Sequence, residues 1–142
     1  MPVTVHRLPD ERILVATLSG DITIEDVMIM YEQSSAVIAG EEGVFHRITD
    51  TRKATSSFPE MLKVLQRATQ EMPAATSSGQ IKVTFVGTTT WIEFVRNAFA
   101  ARGIQMGAFR DMEIALESVR IQLKQDNRIT TPEISDMSQE NA

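Results

Sequence analysis

Two stretches of the chain concentrate groups able to hold an anion: Asp50, Thr51, Arg52, Lys53, Ser56 and Ser57, and then Thr88, Thr89 and Thr90. Hydroxyls and free main-chain amides donate hydrogen bonds to a phosphate or carboxylate, and adjacent cations neutralise it. A plainer role competes for two of these residues. Ser57-Phe58-Pro59-Glu60 and Thr90-Trp91-Ile92-Glu93 are also capping boxes, whose hydroxyls serve a helix start. Catalytic and metal sets do not assemble from the pattern. His6 and His46 are the only histidines, and no His/Asp/Glu spacing matches a ligand set, so no metal is expected. Ser57, His46 and Asp50 supply the types of a Ser/His/Asp trio, but no Gly-x-Ser-x-Gly elbow accompanies them. Gly87 with its three threonines reads as a strand-to-helix turn, because neither Gly-x-Gly-x-x-Gly nor Gly-Lys-Ser/Thr occurs. No catalytic residue and no cofactor is expected.

Composition narrows the class further. With 142 residues, 42% hydrophobic and 23% charged, the chain has the size and balance of one globular domain. Cys is absent, which excludes thiolate chemistry and a disulfide-stapled secreted scaffold. Lys+Arg 14 against Asp+Glu 19 gives a net charge of -5, and the basic residues are scattered, so nucleic acid is not an expected partner. No run approaches the ~20 apolar residues of a membrane span, and Met1 to Gly20 lacks a signal-peptide pattern, so the expected location is cytoplasmic.

The elements that must position these groups follow from periodicity. Val3 and Val5 alternate with polar residues, Leu8-Pro9-Asp10-Glu11 supplies a turn, and Ile13 to Leu18 is a near-continuous apolar run, predicting a hairpin that feeds a buried strand. Thr23-Ile24-Glu25-Asp26 is a capping box opening a helix. Ile24, Val27, Met28, Tyr31 and Ile38 share its expected inner face, and Met30 and Val37 fall outside it. Val44 to Asp50 reads as a third strand, and a helix from Ser57 to Met72 follows. Ile81, Val83 and Phe85 mark a fourth strand, Trp91 to Arg102 a helix, and Ile104 to Phe109 a short fifth strand. Asp111 caps a last helix with Met112, Ala115, Leu116, Val119 and Leu123 inward. Its apolar pattern stops at Lys124, so the domain is expected to span 1–124 and to be followed by a disordered polar tail, 125–142. The order ββαβαβαβα predicts an α/β domain with a five-stranded mixed sheet and four helices. Helical crossovers make strands two to five parallel, with the first antiparallel at or near an edge. In such a sheet the carboxyl ends of the strands form the binding crevice, which is where the two hydroxyl-rich stretches fall.

This element order resembles the STAS domain, the SpoIIAA-like fold. The run Val83-Thr84-Phe85-Val86-Gly87-Thr88-Thr89-Thr90-Trp91-Ile92-Glu93-Phe94, with Phe99 and then Phe109-Arg110-Asp111, is similar to the branch often labelled STAS/SEC14. The resemblance covers roughly residues 3 to 124 and implies a non-catalytic module for protein contact or ligand sensing, with lipid-like ligands suggested by the SEC14-type relatives. It also implies serine phosphorylation in an Asp-Ser-Ser-Gly motif, which would fall on Ser56 and Ser57. In this sequence Thr55 replaces the acid of that motif and Phe58 its glycine.

Eight methionines suit deformable apolar surfaces. Met30 and Val37, lying off the inner stripe of the first helix, predict an exposed apolar strip and hence a homodimer or another protein contact. The leading expectation is a non-enzymatic STAS-like regulatory or interaction module; the alternative is a domain binding a small anionic or lipid-like ligand at the strand-three and strand-four edge.

Overall fold

The computed structural model describes residues 2–55, 59–60, 62–63, 66–67, 81–87, 90–101, 103 and 105–130. Strands β1 (Val3–Arg7), β2 (Ile13–Asp21), β3 (Phe45–Thr55), β4 (Ile81–Val86) and β5 (Gly107–Phe109) form one sheet in the order β1-β2-β3-β4-β5. The β1/β2 pair is antiparallel, and β2/β3, β3/β4 and β4/β5 are parallel, as the crossover rule predicts. Three helices are complete among the described residues: α1 (Ile24–Val37), α2 (Thr90–Ala100) and α3 (Met112–Thr130). The sequence predicts four. Of the expected Ser57–Met72 helix, only residues 59, 60, 62, 63, 66 and 67 are described, each helical, and the rest lies outside the described residues.

Strand order explains which face each helix covers. The sheet advances in one direction from β2 to β5, so right-handed crossovers place α1 and α2 on the same face. There α1 packs Val27 and Met30 against Val3, Ala16 and Leu18, and α2 packs Ile92, Val95 and Phe99 against Val83 and Phe85. The opposite face receives α3, whose Ala115, Val119 and Leu123 meet Ile13, Val15, Ile48 and Val86. Because β2 is covered on both faces, its apolar run is continuous rather than alternating.

Helix starts follow their local chemistry. Thr23 Oγ1 accepts from the Asp26 amide at 3.4 Å while Asp26 Oδ2 accepts from the Thr23 amide at 3.0 Å, completing the expected capping box. Asp111 Oδ1 accepts from the amides of Glu113 at 2.7 Å and Ile114 at 3.4 Å, capping α3. Asp111→Ala should therefore lower the unfolding free energy by about 0.5–2 kcal/mol in a urea titration. An unchanged midpoint would show that α3 does not depend on this cap.

Two expectations require correction. Met30 is only 4% exposed and Val37 is half-buried against Leu14, Ile38 and Phe45, so they do not form an outer strip. The buried stripe of α1 is Ile24, Val27, Met30 and Ser34, and the polar Ser34 within it is what misdirects an apolar count. The other correction concerns the last helix, which runs past Lys124 to Thr130. Residues 125–130 are helical, with Asp126 tied back to the sheet, both its oxygens accepting from Lys82 Nζ at 3.1 and 3.2 Å; the rest of the expected tail, 131–142, lies outside the described residues.

Candidate functional site

The carboxyl edge of β3 is built differently from a phosphate loop. Asp50 to Lys53, expected at the end of the strand and beyond it, all lie within β3. Asp50 Oδ1 accepts from Arg52 Nε at 3.0 Å and from the Arg52 amide at 3.1 Å, and Oδ2 accepts from Nη2 at 2.8 Å. This pairing with Arg52 holds the Asp50 carboxyl below its ordinary value, with burial opposing, and raises the Arg52 guanidinium. Thr51 is fully buried and donates its hydroxyl to the Val86 carbonyl at 2.9 Å. Thr51 is thus committed within the protein, Arg52 is exposed but paired with Asp50, and Lys53 is exposed beside them. Ser56, Ser57, Thr88 and Thr89 lie outside the described residues, and Thr90 opens α2. The expected anion crevice and the expected phosphorylation at Ser56 and Ser57 depend on those residues.

A second constellation lies beneath α1, and sequence reasoning misses it. Phe45, Arg47, Thr49 and Thr51 alternate along β3 toward the face that carries α1 and α2. Arg47 is 3% exposed. Its guanidinium lies 5.2 Å from the Tyr31 ring centroid, its Nη1 donates to Ser34 Oγ at 3.3 Å, and its Nε donates to Thr49 Oγ1 at 3.4 Å. Ser34 in turn donates to the Met30 carbonyl at 2.7 Å. No carboxylate pairs with Arg47 among the described residues. Burial lowers the Arg47 pKa and raises that of Tyr31, so the guanidinium is held charged against its surroundings beside a neutral phenol. A charged residue at the centre of a strand covered on both faces was the available signal.

On the opposite face His46 is 1% exposed and neither ring nitrogen has a hydrogen-bond partner among the described residues. Its Nε2 stands 3.6 Å from Asp126 Oδ2, just beyond hydrogen-bond length. Burial pushes the imidazole pKa down, Asp126 opposes this and Lys82 adds to it. Among the described residues no group of three His, Asp or Glu side chains could hold a metal, and no helix is long and apolar enough to cross a membrane.

No family model and no curated protein matches the chain. Among solved structures it is similar to an uncharacterized DUF3478-family protein from Shewanella loihica PV-4, described as having a SpoIIAA-like fold. The TM-score is 0.56 at 17% sequence identity, over 82% of this chain and 91% of the other. At that identity the likeness establishes the fold, and the resemblance read from the sequence is to the same fold.

Proposed function

We propose that this SpoIIAA-like domain is a non-catalytic regulatory module that works by protein contact and pairs with a second copy of itself through the outer face of α3. The observation that carries this reading is the pair Ile114 and Ile121, 54% and 52% exposed. Seven residues apart, they stand above one another two turns along one helix face. Their surroundings favour a like partner. Glu113 and Glu117, behind the cap Asp111, occupy the first part of the helix; the later part carries Lys124, Arg120, which pairs with Glu11 at 2.8 Å, and Asp126, which pairs with Lys82. Antiparallel pairing across a two-fold axis sets each acidic end against a basic one. The contact surface thus moves from the first helix, where Met30 and Val37 are covered, to the last.

Sedimentation equilibrium of the full chain tests this. Dimer formation is expected to rise with concentration, and the Ile114→Lys/Ile121→Lys variant is expected to weaken it at least ten-fold, about 1.4 kcal/mol, with an unchanged thermal midpoint. Both positions are exposed, so the variant should fold. A wild-type chain that stays monomeric at its highest soluble concentration would overturn the reading. A second reading, a binding or sensing domain for a small anionic or lipid-like ligand, is supported by the buried Arg47 guanidinium.

A further inference from the structure

A cavity of about 420 Å³ opens between the β1–β2 turn and the second half of α3. It lies at the amino-terminal end of β2, and so at the opposite end of the parallel strands from Asp50 to Lys53. Asp10, Glu11 and Arg12 line it from the turn, and Arg120, Leu123 and Lys124 from the helix. Part of this wall is fixed. Arg120 donates from Nε and Nη2 to the two Glu11 carboxylate oxygens at 2.8 and 2.9 Å, a forked pair in which the two charges offset each other. Arg12 donates from Nη1 to the Glu42 carbonyl at 2.6 Å and lies 4.9 Å from the centroid of the buried Phe45 ring. Its position is thereby set, while its charge meets no carboxylate among the described residues.

Asp10 and Lys124 stand differently. Both are exposed, and neither has an ion pair or a side-chain hydrogen bond among the described residues. Asp10 also holds an uncommon backbone. It is the third residue of the Leu8–Glu11 turn, closed by the Glu11 amide on the Leu8 carbonyl at 3.2 Å, and its φ of +61° is where glycine or asparagine is usual. A carboxylate kept at such a position, in the wall of a cavity, points to a use for its charge.

With the Glu11–Arg120 pair set aside, the cavity presents two cations, Arg12 and Lys124, and one carboxylate, Asp10. A ligand of complementary charge carries two carboxylates and one ammonium group. We propose that the cavity is a receptor for an acidic α-amino acid, its carboxylates on Arg12 and Lys124, its ammonium group on Asp10 and its methylene groups against Leu123. The site is separate from Arg47 and from the Ile114–Ile121 strip, so it stands or falls apart from both readings of function.

The test is a titration of the full chain with L-glutamate followed by amide NMR at low ionic strength, where an open site is least screened. Saturable shifts are expected at residues 10–12 and 120–124. Glutarate, which lacks the ammonium group, and glutamine, which lacks one carboxylate, are each expected to bind about five-fold more weakly, the loss of one partly exposed ion pair, and lysine is expected not to bind. Lys124→Gln is expected to weaken glutamate by a similar factor. Asp10→Asn is expected to bring glutamate down to the affinity of glutarate, and asparagine tolerates a positive φ, so the turn should persist. Both positions are exposed, so both variants should fold. Ile114→Lys/Ile121→Lys is expected to bind glutamate no worse than the wild type, which separates failure of this site from failure of self-association. Glutarate or inorganic phosphate binding as well as glutamate would overturn the amino-acid class. No saturable shift at these residues, or undiminished binding in Lys124→Gln, would overturn the site.

Discussion

Gly87→Ala is expected to cost about 3 kcal/mol or more of folding stability, an effect at the high end for a single methyl group. An ideal Cβ on Gly87 would lie 2.3 Å from Thr51 Oγ1 and 3.3 Å from Ile92 Cδ1. Thr51 has nowhere to go. It is fully buried and its hydroxyl holds the Val86 carbonyl, the last residue of β4. The Gly87 backbone adds a second cost, since its φ of +148° is a conformation that side-chain-bearing residues rarely adopt. Nor can the backbone retreat cheaply, because the Gly87 amide donates to the Phe109 carbonyl at 2.9 Å and so holds β5. Urea denaturation of the variant measures the loss. Gly107→Ala is the control: its φ is not in the glycine region and its nearest contact is 3.4 Å, so less than about 1 kcal/mol should be lost. A Gly87 variant as stable as the Gly107 variant would contradict the close approach of β3 to the β4 terminus.

Acid should destabilise the protein through His46 before its carboxylates titrate. The imidazole is neutral in the fold because burial depresses its pKa below the ordinary 6.5. A base with a lower folded than unfolded pKa binds fewer protons when folded, so stability is full above the unfolded pKa and declines as pH falls toward the folded one. The slope approaches about 1.4 kcal/mol per pH unit where the unfolded chain is protonated and the fold is not. Asp50 is shifted in the same direction, lowered by its hydrogen bonds to Arg52, so its contribution is lost in the same sense but at lower pH, through the carboxylate range. The two windows are separable in denaturant titrations between about pH 7.5 and 5. His46→Leu is expected to abolish the slope in that window. It should also leave stability at pH 7 equal to the wild type or above it, since two buried nitrogens without partners are removed and each such group costs about 1–3 kcal/mol. Asp126→Asn removes the opposing charge, so the decline should reach further toward acid. An unchanged slope in His46→Leu would assign the acid sensitivity elsewhere.

Legibility from sequence varied with the range of the interaction concerned. The inward residues of α3 and the caps at Thr23 and Asp111 are readable because each depends on neighbours within a turn or two. The anion crevice is a reading of residue types alone. Residue types do not show that β3 continues to Thr55, where Asp50 and Arg52 on one strand face satisfy each other. An apolar count puts Met30 on the wrong side of α1 because Ser34 interrupts the stripe, and the buried Ser34 accepts from Arg47.

By itself the sequence determined the order along the chain of the five strands and of α1, α2 and α3, the parallel direction of β2 to β5 and the antiparallel β1, since periodicity, turn residues and crossover handedness are local or chiral constraints. The tertiary structure alone decided which polar side chains are enclosed. Arg47 meets Ser34 across 13 residues of chain, Thr51 meets Val86 across 35 and Lys82 meets Asp126 across 44. Periodicity says which residues share a face; what covers that face, and whether it brings a partner for a buried charge, is set by elements distant in the chain that only folding brings together.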